Sequence, residues 1–168
     1  ERLLLVGRVV QHHEQPLAVF INSCGGDLVS AREIIERLAA HNSRVIIIAL
    51  NRCMSAATII TCAYPRYDRF ALANCSIMIH TATVYQSKKK EKPPKHLKES
   101  QAWFNDLVGD AEHVEAVPTV NDFLAAVIAK DTELDEEFLR TLFATGGDLY
   151  FSAENALETG LIGKILEP

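Results

Sequence analysis

Between Leu17 and His80 the apolar residues follow two different spacings. Leu17, Val19 and Ile21 recur at every second position; Leu28, Ala31, Ile34, Ile35 and Leu38 recur at three and four; Val45 to Ile48 is an unbroken β-branched run. Period two marks a strand with one covered face, period 3.6 marks an amphipathic helix, and a short unbroken run marks a strand covered on both faces. The spacing therefore predicts a strand from Leu17, a helix over 27–41 with Glu33/Arg37 and Arg32/Glu36 paired on its outer face, and a strand from Val45. Asn51 and Arg52 read as a short polar corner. Beyond them Met54 to Ala63 is apolar on every side, as a fully buried helix is. A strand follows around Phe70, and Ile77-Met78-Ile79 gives another that ends on His80. This alternation implies an α/β fold of repeated β-α units on a mostly parallel sheet.

The flanks differ in character. Leu3 to Val6 reads as a first strand, joined to Leu17 by Gly7 and a short polar link in which His12 and His13 are solvated and bind no metal. After His80, six lysines (88, 89, 90, 92, 95 and 98) interrupted by Pro93-Pro94 form a solvated loop. A helical pattern returns over 97–117, where Trp103, Phe104, Leu107 and Val108 supply an apolar face, and Pro118 is expected to break it. Two more helices are predicted near Asn121 to Lys130 and Leu134 to Phe143. Helices gathered late in the chain and projecting from a sheet core suit self-association. Ser152 reads as the cap of a short helix over 153–158, Gly160 as its stop, and Leu161 to Leu166 as the last strand.

At 168 residues with 48% hydrophobic content the chain reads as one domain, 1–168, with a sizeable core. A net charge of −5 gives no general case for nucleic acid or a membrane surface as partner. The apolar runs fall far short of the roughly 20 residues that span a bilayer, and no secretory pattern opens the chain, so a cytoplasmic protein is expected. The cysteines at 24, 53, 62 and 75 lie at no metal-like spacing, and with Cys53 and Cys62 in or beside apolar segments buried thiols are expected and not disulfides. No cofactor and no metal are expected. There is no nucleotide-binding P-loop, so any dependence on ATP would come from a partner.

Candidate chemistry centres on two residues. Ser55 stands at the start of the buried helix, where backbone amides are unpaired and the helix dipole favours negative charge. His80 is delivered at a strand end, so the two form the halves of a nucleophile–base pair. Each has a plainer reading, since serine at a strand-to-helix turn is ordinarily a cap and histidine at a strand end is ordinarily structural. Gly25-Gly26 changes the balance: after an apolar strand, two glycines let the backbone turn tightly and approach a ligand with its N–H groups free for an oxyanion.

Together INS-x-GG (Ile21 to Gly26), MSAA (Met54 to Ala57) and IMIH (Ile77 to His80), at these intervals, resemble the Clp-type proteolytic subunit, a serine peptidase of the crotonase-like superfamily. Cys24 replaces the proline usual in that motif. The resemblance extends to the first strand and to Phe151 to Ile165. It implies Ser55 as nucleophile, His80 as general base, and the amides of Gly26 and Ala56 as the oxyanion hole. It also implies stacked rings that take unfolded polypeptide or peptide, served by an ATP-dependent unfoldase. Relatives carry a helix between the first two strands, for which this chain has no room, and a glycine-rich substrate strand after the histidine, where this chain has no glycine before Gly109. Counting back from the closing motif puts the family's acid at Ala144, which has no carboxylate. Asp148, after Gly146-Gly147, is the nearest alternative, with Asp131 and Asp135 weaker because both read as helix-start residues. Three functions are compatible with this pattern: an active serine endopeptidase, a catalytically impaired structural subunit of the same fold, and an acyl-CoA hydratase or hydrolase using the same oxyanion hole.

Overall fold

The computed structural model describes residues 15–82 and 113–167. The strand read at Leu3 to Val6, the His12-His13 link, the lysine-rich segment and most of the helix read over 97–117 lie outside them. Six strands form one sheet: β1 (Leu17–Ser23), β2 (Val45–Met54), β3 (Arg69–Leu72), β4 (Ser76–His80), β5 (Asp148–Phe151) and β6 (Lys164–Leu166). The path runs β5-β4-β2-β3-β6, with β1 paired to β2. All pairings are parallel except β4 with β5, in agreement with the mostly parallel sheet expected.

The helices are α1 (Leu28–Ala39), α2 (Ala56–Cys62), α3 (His113–Ala129), α4 (Glu136–Ala144) and α5 (Ala153–Glu158). α1 starts where Asp27 accepts a hydrogen bond from the Ser30 amide and carries the Arg32–Glu36 pair on its exposed side. Every residue of α2 is buried, as its all-round apolar sequence requires. Ile47, Ala49 and Ala71 from the sheet, Leu124, Ala125 and Ile128 from α3, and Leu139 and Phe143 from α4 complete the core.

Two boundaries differ from the sequence reading. Asn51 and Arg52 do not end β2, which continues to Met54; they lie where the ladder to β1 slips, from Ile21↔Ala49 to Ser23↔Cys53, so β2 has two extra residues there. That irregularity hands β2 from β3, which it pairs through Ala49, to β4, which it pairs from Arg52. Pro118 does not break a helix either, since α3 runs through it. A proline within a helix removes one backbone bond, and the buried stripe from Val120 to Ile128 outweighs that loss.

Arg69, 1% exposed, ties the base of the sheet to the helices. Its guanidinium donates to the carbonyls of Cys62, Tyr64, Asp131 and Gly160 and to the Asp131 carboxylate. Buried charge is tolerated because every direction of the fork meets an acceptor.

Candidate active site

β2 runs into α2 through a single residue with unusual backbone geometry. Ser55 has φ 57° and ψ −127°, the one non-glycine residue with positive φ among those described. Such a conformation costs on the order of 1–3 kcal/mol and is held only by its surroundings. Three contacts hold it. The Ser55 amide donates to the Met78 carbonyl of β4 at 2.8 Å, which prolongs the β2–β4 ladder into the turn. The buried Thr58 hydroxyl lies 2.8 Å from the Cys53 carbonyl and 2.9 Å from that of Met78, bridging the strand before the turn and its neighbour. Gly25, at φ 94°, packs against the turn from β1: a Cβ there would meet the Met54 carbonyl and Ser55 Cβ at 2.6 Å, so only glycine fits.

This backbone bears on the plainer reading of Ser55 as a helix cap. It occupies the cap position of α2, yet its side chain makes no capping bond, in contrast to Asp27, Asp135 and Ser152, which cap α1, α4 and α5 from extended conformations. Instead Ser55 Oγ lies 2.7 Å from His80 Nε2. His80 is the last residue of β4, its side chain 23% exposed. Directly across the antiparallel ladder stands Asp148, the first residue of β5, whose Oδ1 is 4.0 Å from His80 Nδ1. At that distance the two form an ion pair when the imidazole is charged, and not a hydrogen bond. With its proton on Nδ1 the ring turns a lone pair to Ser55 and an N–H towards Asp148.

The other acids are elsewhere. Asp131 accepts bonds from the Arg66 amide and Arg69, and Asp135 caps α4 through the Phe138 amide. Asp131 is therefore an arginine partner and not the helix-start residue its sequence suggested. Ala144 is the exposed last residue of α4 and has no place in the β4–β5 ladder. Among the described residues the carboxylate facing His80 is that of Asp148.

Gly25 and Gly26 follow β1 with φ 94° and 156°, and Gly26 borders open space. Ala56 is the first residue of α2, so its amide has no partner within the helix. Cys24, in the position between Ser23 and the glycines, is exposed, whereas Cys53, Cys62 and Cys75 are buried. Burial pushes their thiols up from 9.0 to about 11, about 12 and about 12. Among the described residues no group of three or more His, Cys, Asp or Glu is placed to hold a metal, and no helix is long and apolar enough to cross a membrane. A groove of about 550 Å³ between α1, α2 and α3, lined by Leu28, Ile35, Ile59, Val120, Leu124 and others, includes neither Ser55 nor His80.

The family model described as Clp protease matches residues 3–168. The chain belongs to the Clp protease family. Three relatives are each named ATP-dependent Clp protease proteolytic subunit. That of Ligilactobacillus salivarius is 26% identical over 160 residues, covering 94% of this chain and 70% of the relative. That of Deinococcus radiodurans is 27% identical over 158 residues, 94% and 68%. That of Dehalococcoides mccartyi is 24% identical over 158 residues, 92% and 68%.

Sequence reasoning missed two residues that brace Ser55 and the end of β4. Thr58 is hidden inside an apolar helix, where a threonine passes as core. In sequence Asn121 reads as the start of a helix, yet it lies within α3, 6% exposed, bonded to Thr81 and Ala82. A polar residue three, four and seven positions before Leu124, Ala125 and Ile128 is the signal that marks it.

Proposed function

We propose that the chain is a serine endopeptidase of the Clp type, with Ser55 as nucleophile, His80 as general base and Asp148 as the acid that orients His80. The observation that carries this reading is the Ser55 hydroxyl, held in a strained turn, free of any capping duty and 2.7 Å from His80 Nε2. Ser55 Oγ attacks the scissile carbonyl carbon as its proton passes to Nε2. The amides of Gly26 and Ala56 receive the oxyanion. Collapse breaks the C–N bond, and His80 returns the proton to the leaving amine. Water, deprotonated by His80, then cleaves the acyl-enzyme, which restores Ser55. Asp148 faces Nδ1 across the ladder, and the positive charge that develops on the ring draws its exposed carboxylate inward from 4.0 Å.

Substrates on this reading are unfolded polypeptides or peptides, cleaved in the cytoplasm within rings of identical single-domain subunits. An unfoldase supplies any dependence on ATP, because the chain itself has no P-loop. A structural-subunit role gives no reason for a strained serine aimed at histidine. Acyl-CoA chemistry gives no use for that pair either.

Hydrolysis of a fluorogenic peptide by the assembled wild type, compared with Ser55→Ala and His80→Ala, tests the proposal. Loss of turnover in both variants with unchanged thermal melts is expected. Equal turnover in Ser55→Ala would assign the chemistry to another residue.

A further inference from the structure

The chain that leaves His80 is held by a side chain from a distant element. β4 ends at His80, and the β4–β5 ladder ends with the pair His80↔Asp148. For the next two residues Asn121 of α3 takes over. Its Oδ1 accepts from the Ala82 amide at 2.8 Å, and its Nδ2 donates to Thr81 Oγ at 3.0 Å. The asparagine is 6% exposed, on the same stripe of α3 as the buried Leu124, Ala125 and Ile128. A carboxamide in such a stripe is destabilising unless both its ends are bonded. Here both ends are taken by the two residues that follow the general base.

We propose that Asn121 is a positioning residue for His80. This rests on the serine-peptidase reading above. His80 sits at the frayable end of its strand, where the ladder no longer constrains the chain. Fixing Thr81 and Ala82 from α3 supplies the missing constraint on the C-terminal side of His80. The ladder to β5 and the contact of Met78 with the Ser55 amide supply it on the N-terminal side. The imidazole then stays within hydrogen-bond reach of Ser55 Oγ without paying for its alignment in each catalytic cycle. A displacement of about 1 Å in such a pair can cost on the order of a hundredfold in rate.

Three variants of the full chain test this, each read by the rate of fluorophosphonate labelling of Ser55 at saturating reagent and by kcat and KM on a peptide. Asn121→Leu, close in size and unable to bond, should slow labelling and kcat about tenfold or more, with KM within about twofold of wild type. Thr81→Val, which keeps the Ala82 bond, should cost less, about threefold. Asn121→Asp should retain most of the rate, because one oxygen accepts from Ala82 and the other from a rotated Thr81 hydroxyl. A merely structural asparagine predicts lowered melts with labelling rates unchanged for the folded fraction. The proposal is overturned if the folded variants all label at the wild-type rate, if the losses lie in KM, or if Asn121→Asp is as slow as Asn121→Leu. Should Asn121→Leu not fold, Thr81→Val and Asn121→Asp decide by the same criteria. Wild type that does not label at all overturns the peptidase reading and this inference with it; wild type that labels, with variants that match it, overturns this inference alone.

Discussion

Ser55 bears a conformational strain that a cap would not need, and that gives its backbone a testable signature. Glycine is normally worse than alanine by roughly 0.5–1 kcal/mol in ordered structure, but at φ 57° the order should reverse. Ser55→Gly is expected to melt no lower than Ser55→Ala. Asp148 gives the second prediction at this scale. If it orients His80, Asp148→Asn keeps the shape, supplies the wrong tautomer and lowers turnover by orders of magnitude, with a melt close to wild type. Activity within a few-fold of wild type would reduce Asp148 to a strand-start residue. Thr58→Val tests the support of the turn: it removes a buried donor from the carbonyls of Cys53 and Met78 and should cost about 1–3 kcal/mol in denaturant unfolding.

Elements carry these residues to their places, and most of the elements were legible in the chain. The two-residue spacing of β1 and the helical spacing of α1 each arise from one buried face, and the β-branched start of β2 from a strand with no exposed residue over its first six positions, local properties that the order of residues records directly. Ser55 and His80 were legible for the same reason, since each stands at the end of an apolar run. What was not legible depends on contacts between elements. Asn51 and Arg52 look like a corner because they are polar, but their place is a slip in the β1–β2 ladder, which only the pairing of three strands defines. Asp148 stands out in sequence beside Gly146-Gly147, yet its place opposite His80 follows from the β4–β5 register and from no local pattern. The fit of Gly25 against the turn is likewise a cross-element contact. Gly25→Ala would force a Cβ onto the Met54 carbonyl at a left-handed φ, so loss of Ser55 labelling is expected before loss of the fold, checked by comparing labelling with the melt.

At the scale of the molecule, three thiols stay protonated through burial while Cys24 faces solvent. Native protein should therefore be alkylated at Cys24 alone, and at all four cysteines only in denaturant. The raised values of Cys53, Cys62 and Cys75 also set a pH window. Below their ordinary value of 9.0 native and unfolded chains bind the same protons there, and the contribution to stability is complete. From 9.0 towards about 12 the unfolded chain releases protons that the native chain keeps, so stability should fall with rising pH. Chemical denaturation at pH 8 and pH 10.5 checks the sign. Assembly belongs to this scale too: a small peptidase with an open site endangers its neighbours unless the site is enclosed, so light scattering should report a ring-sized particle. A concentration-independent monomer would contradict enclosure.

The central claim is that Ser55 is a nucleophile activated by His80, and covalent capture tests it most directly. Incubation of the assembled protein with a fluorophosphonate, read by intact mass and mapped by peptide sequencing, should add one phosphonyl group per chain on Ser55 and none in Ser55→Ala. An unmodified wild type, or a modification that persists in Ser55→Ala, would contradict it.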